Sequence, residues 1–149
     1  MTRFTGTLVT AAAISLLSLV QGGYLVRASG GTRTVQTVAL RREACATNGG
    51  TTVGTARVAP DDQGGNPGGL EIDVSLTGGL PRTSYTVVVL GTSCQVLFQG
   101  GALKTDDSER GDLSVHVPGT VVQVGPSLRV QVSASAGADV ITSDAISAV

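Results

Sequence analysis

Few residues in this chain are equipped for chemistry, and their spacing narrows what they could do. His116 is the only histidine. It alternates with Ser114 across Val115, so in a strand the two share one face. A serine near a histidine could begin a nucleophilic site. Strand neighbours are not a nucleophile on a sharp turn, however, and no Gly-x-Ser-x-Gly occurs: Gly91-Thr92-Ser93-Cys94-Gln95 lacks the last glycine. His116 therefore reads as a surface histidine. A single histidine also excludes a His-rich copper or zinc centre, and with it a superoxide-dismutase-like role.

Glu71 and Asp73 form the next pair. They are two residues apart, about 7 Å on one strand face, a separation that glycosidase carboxylates can have. Such enzymes also need an aromatic-lined cleft, and the chain has no Trp, two Tyr and two Phe. Asp61, Asp62, Asp106, Asp107, Glu109 and Asp112 crowd two loops, where carboxylates can bind Ca²⁺. Arg110 falls where an EF-hand loop needs a ligand, so Asp106 and Asp107 read as turn formers. No Gly-rich loop is followed by Lys-Ser/Thr and a helix, so no phosphate cradle is expected. The scarcity of aromatics argues against sugar stacking and base stacking. It also leaves Arg33, Arg41, Arg42 and Arg82 as the anchors of any tight protein interface. No catalytic residue, cofactor or metal ligand is assigned. The expected partner is an unidentified protein or small molecule, and not nucleic acid.

The elements that must carry these residues follow from composition. Charged residues are 14% of the 149, Gly numbers 21, and Val and Thr number 21 and 18. So many β-branched residues favour strands. A mean hydropathy of +0.26 is too apolar for a disordered chain. The formal net charge of −1 gives no basic footprint for nucleic acid.

The N-terminus reads as an address. Arg3 precedes an uncharged run from Leu8 to Val20, and Val26-Arg27-Ala28 offers a Val-x-Ala cleavage site before Ser29. This predicts a signal helix in residues 1–28, with a cut after Gly22 as second choice and an uncleaved anchor over Leu8 to Val26 as the alternative. The remaining 29–149 would be one secreted domain with eight basic and eleven acidic side chains. Cys45 and Cys94 are the only cysteines. In an oxidising compartment an even pair most simply forms one disulfide.

Turn residues divide the domain into short strands. They are expected at Thr32 to Leu40, Thr51 to Ala59 with a bulge at Gly54, and Leu70 to Leu76 with strict alternation. Tyr85 to Leu90 is apolar on both faces, as a central strand would be. Further strands are expected at Ser93 to Gln99, Thr120 to Val124, Leu128 to Val132 and Val140 to Val149. Ala102 to Thr105 and Asp112 to Val117 read as a hairpin around Asp106–Gly111. Pro60 to Gly69 reads as an open loop. The pattern predicts an all-β, antiparallel Greek-key sandwich of about eight strands.

Gly79-Leu80-Pro81-Arg82-Thr83-Ser84-Tyr85-Thr86-Val87 resembles the corner of fibronectin type III and related immunoglobulin-like domains. Pro81, Thr83 and Tyr85 keep that pattern's spacing, and Leu80 stands one residue closer. The resemblance implies an immunoglobulin-like sandwich in which the Tyr85 hydroxyl bonds back to an upstream backbone group. Leu103 to Asp106 and Gly111 to Val115 are similar to turns in secreted bacterial modules of that kind. In composition and size the chain also resembles the small secreted apoproteins of enediyne chromophores, which usually have two disulfides. The expected role is thus a secreted, non-enzymatic module that binds or presents, with an extracellular small-molecule carrier as the alternative.

Overall fold

Period-2 alternation becomes burial in the computed structural model. It describes residues 25–28, 31–45, 47, 49–61, 65–124 and 127–147. Strand β5 (Gly69–Leu76) is the clearest case: Leu70, Ile72, Val74 and Leu76 are buried, while Glu71, Asp73 and Ser75 lie partly exposed between them. The other strands are β1 (Leu25–Ala28), β2 (Gly31–Thr34), β3 (Gln36–Arg41), β4 (Thr52–Asp61), β6 (Ser84–Leu90), β7 (Val96–Lys104), β8 (Gly111–Val117), β9 (Ser127–Ala134), β10 (Val140–Ser143) and β11 (Ile146–Ser147). One short helix, α1 (Gly119–Val122), lies between β8 and β9.

All pairings are antiparallel, and the main strand order is β7-β6-β9-β10-β3-β4-β5-β8, with β11 beside the start of β9. The chain crosses the assembly from β5 to β6 and again from β8 to β9, which are Greek-key crossings. The terminal strands β7 and β8 face each other across a seam. A Cβ at Gly100 of β7 would lie 3.1 Å from the Val115 side chain of β8, and one at Gly111 would lie 2.5 Å from the Lys104 carbonyl. The eight strands therefore make a nearly closed barrel. Inside it Leu40, Ile72, Tyr85, Val87, Leu103, Leu128, Val130 and Ile141 are essentially inaccessible. Each buried aliphatic side chain is worth about 1.5–3 kcal/mol of transfer free energy.

Several local expectations change. Thr32 to Leu40 divides at Val35: β2 pairs with β1, whereas β3 pairs with β4 and β10. Residues 1–24 of the expected signal segment lie outside the described residues, and the expected cleavage-site residues Val26 to Ala28 belong to β1. Ser93 to Gln99 and Ala102 to Thr105 merge into β7, because Gly101 at φ +125° lets the strand pass a register shift instead of ending there. The expected ladder between Ala102–Thr105 and Asp112–Val117 does not form: β7 pairs with β6 and β8 with β5. Thr120 to Val124 is instead the single helical turn α1, which seats Val122 in the core. Within the expected strand Val140 to Val149, β10 and β11 form separately, and Ala148 and Val149 lie outside the described residues. The open loop is shorter than expected, since Pro60 and Asp61 still pair with Leu70 and Gly69.

The bulge expected at Gly54 occurs one residue earlier. Leu40 faces Gly54 and Arg41 faces Thr52, leaving Val53 as the extra residue. A Cβ at Gly54 would stand 2.3 Å from the Ser75 carbonyl oxygen. Gly54→Ala is therefore expected to cost about 2–3 kcal/mol through backbone displacement, read as a lower urea midpoint at unchanged slope.

Candidate functional site

The β5–β8 register brings two sequence pairs together. Glu71 stands opposite His116 and Asp73 opposite Ser114, all on the outer face. Ser114 Oγ lies 2.8 Å from Asp73 Oδ1 and 3.3 Å from Glu71 Oε1. Its single proton thus goes to a carboxylate, and Arg57 Nη1 pairs with the other oxygen of Asp73 at 3.2 Å. His116 Nδ1 turns to Asp61 Oδ2 at 3.3 Å. Asn66 Nδ2 donates to the same Asp61 oxygen at 2.8 Å and to the Val117 carbonyl at 3.2 Å, while Asn66 Oδ1 accepts from Gly119 N. The Asp61 side chain is 4% exposed. These bonds fasten the β4–β5 loop to β8 and α1. They do not align Ser114 with His116 as nucleophile and base. A shallow depression of about 260 Å³ lies beside Ser114 and is lined by Asp73, Ser75, Asp112 and Leu113.

The loop carboxylates have separate tasks. Asp106 Oδ1 accepts from the Ser108 and Arg110 amides at 2.8 and 3.0 Å, which holds the β7–β8 turn. Asp107 receives both the Nε and Nη2 groups of Arg82. This fork holds the Asp107 carboxyl below its ordinary value of 3.8 and raises Arg82. Because the carboxylate is favoured in the folded chain, the pair contributes above pH 3.8 and fades as pH falls through the lower folded value. Both side chains are exposed, so the contribution is small. A carbon-detected NMR titration is expected to place Asp107 below 3.8, and Arg82→Ala to return it toward that value. Asp62 lies outside the described residues.

The corner residues organise the opposite end of the barrel. Leu80 N donates to Tyr85 Oη at 2.6 Å, and Tyr85 Oη donates to Asp139 Oδ2 at 2.8 Å. Arg42 closes the chain, with Nε 2.8 Å from Asp139 Oδ1 and Nη2 2.7 Å from the Gly78 carbonyl. Burial pushes the Tyr85 phenol above 10, and the Asp139 contacts add to the shift. Asp139 is absent from the sequence-based candidates, and Arg42 stands there as an interface anchor, not as a partner of Asp139. The only available signal was that a buried tyrosine hydroxyl needs partners.

Beside this network two loops are tied together. Thr105 Oγ donates to the Leu80 carbonyl at 2.5 Å and accepts from Thr83 N at 2.9 Å. Arg82 N donates to the Asp106 carbonyl, and Thr83 Oγ to the Pro81 carbonyl. Arg82 is held at φ +49°. Between the loops opens a groove of about 390 Å³ lined by Arg82, Thr83, Ser84, Lys104 and Thr105.

Cys45 and Cys94 form a disulfide that closes a separation of 49 residues. It links the loop after β3 to the turn after β6. On that side Val88, Leu90 and Thr142 point away from the central core yet are at most 7% exposed. Thr142 Oγ donates to the Glu43 carbonyl, so the loop after β3 lies over the outer surface here.

No protein-family model matches the chain. No curated protein matches it either. Among solved structures, a variant of an SOD-like protein from Bacillus subtilis is similar, with a TM-score of 0.51 and 12% identity over 72% of this chain and 95% of that one. At this identity the likeness concerns the fold alone, an all-β, antiparallel, nearly closed barrel.

Proposed function

We propose that the protein is a secreted, non-enzymatic β module that binds a ligand at the cell surface or in the medium. The observation that carries this reading is the Tyr85 end of the barrel. There the Thr105 bonds and the Tyr85–Asp139–Arg42 network hold two exposed loops rigidly around a groove. Rigid loops lose little freedom on association, which favours recognition. The immunoglobulin-like reading of the corner belongs to the same proposal, because modules of that kind present ligands on loops at one end. Ser114 and His116 each bond to carboxylates instead of to one another, which supports a role other than nucleophilic catalysis. The fold likeness brings no copper–zinc chemistry with it, since such a centre draws on several histidines and this chain has one.

The disulfide supports an oxidising destination. Among the described residues no helix is long and apolar enough to cross a membrane. The carrier alternative would have to use a surface groove, because side chains fill the barrel interior. The test is fractionation of the native host with thiol labelling under denaturing conditions. The protein is expected outside the cytoplasm, unlabelled until reduced. Recovery in the cytoplasm with two reactive thiols would overturn the reading.

A further inference from the structure

We propose that the groove between Ser84 and Lys104 is a binding site for an oxyanion (carboxylate, sulfate ester or phosphate) carried on a ligand of about monosaccharide size. The inference rests on the binding reading above and names the chemistry of its site. Ser84 and Lys104 are direct cross-strand partners in the β6–β7 ladder. The inward direction of Tyr85 and Leu103 puts both on the outer face. Their Cβ atoms are then about 5 Å apart, so the Lys104 ammonium and the Ser84 hydroxyl can meet one bound group. Among the described residues Lys104 has no ion-pair partner.

Arg82 supplies the second cation at the groove wall. Its Nε and Nη2 face Asp107, which leaves Nη1 for a ligand. Thr83 Oγ donates its proton to the Pro81 carbonyl, so toward a ligand it acts as an acceptor, for a hydroxyl on the carrier. The Thr105 bonds fix the backbone on both sides. Of the acidic side chains in the adjoining β7–β8 turn, Asp106 is engaged by the Ser108 and Arg110 amides and Asp107 by Arg82, so neither pairs with Lys104. A volume of about 390 Å³ exceeds the share of a bare ion and its few waters, about 30 Å³ each. The groove is open to solvent, so an oxyanion attached to a larger carrier can reach it. Such recognition runs on charge-assisted hydrogen bonds and requires no aromatic platform.

The test is an NMR amide titration of the full chain with inorganic sulfate, inorganic phosphate and glucuronic acid at constant ionic strength. Saturable shifts confined to residues 82–84 and 103–105 are expected, with glucuronic acid binding more tightly than either inorganic ion. Lys104→Gln, an exposed change, should weaken binding about tenfold with Tm unchanged. Asp107→Asn, which frees the Arg82 fork, should strengthen it several-fold. Absence of saturation, shifts spread over every cationic residue, or indifference to Lys104→Gln would overturn the site. Inorganic ions binding as tightly as glucuronic acid would overturn the carrier-sized ligand. Each of these failures would leave the location and disulfide results of the previous test untouched.

Discussion

Replacing Cys45 with serine is expected to lower folding stability by about 4 kcal/mol, the chain-entropy value for a closed loop of this length. The bridge closes a separation of 49 residues and tethers the loop after β3, whose Glu43 carbonyl covers Thr142 on the outer surface. Its loss therefore releases the unfolded chain and loosens that cover. Cys94 adds a second consideration. It sits at φ +61°, a left-handed conformation costing a side-chain residue about 1–2 kcal/mol. Cys94→Gly removes the bridge but also that strain. It is expected to be about 1 kcal/mol less damaging than Cys94→Ser. Urea unfolding of the three variants measures both numbers. Equal losses for Cys94→Gly and Cys94→Ser would show that the strain at Cys94 is not carried into the reduced fold.

The second large effect is at Asp139. Asp139→Ala leaves the Tyr85 hydroxyl without its acceptor and Arg42 without its carboxylate. The Asp139 side chain is 6% exposed and that of Arg42 is 43% exposed. Water can rehydrate the arginine but not the phenol, so the cost is set at about 3 kcal/mol, the low end for a broken buried pair. Tyr85→Phe should cost about 2 kcal/mol, because Leu80 N loses its acceptor and Asp139 one donor. The double variant should lose less than the sum, with a coupling of about 1 kcal/mol. The phenol also predicts an alkaline limit. Its folded pKa is raised, so its contribution is complete below pH 10 and is lost as pH rises through the folded value. Tyr85→Phe should remove that part of the alkaline decline in a thermal scan.

Elements with an unbroken local pattern were legible in the sequence. Leu70 to Leu76 alternates as β5 does. Tyr85 to Leu90, apolar on both faces, is a central strand between β7 and β9, with Val88 and Leu90 buried on its outer side. Elements decided by distant partners were not legible. Gln99-Gly100-Gly101 resembles a strand end until β6 is there to pair across the shift. Four residues of α1 are too few to display a helical period. The site divides in the same way. Cys45–Cys94 followed from arithmetic, whereas Arg42 and Asp139 are 97 residues apart, and no local feature of either announces the other. Lys104 gained a role only when the ladder set it opposite Ser84.

A native mass spectrum of the protein released by its own host tests secretion, the disulfide and the ligand together. The expected mass is that of residues 29–149 less two hydrogens, the cleaved chain with Cys45 and Cys94 joined. Any additional mass is expected to be an acidic compound that dissociates readily and is lost from Lys104→Gln. The full-length mass with both thiols reduced would overturn the secreted, disulfide-bonded reading. A neutral apolar ligand that Lys104→Gln retains would overturn the oxyanion site and make the protein a carrier of a different kind.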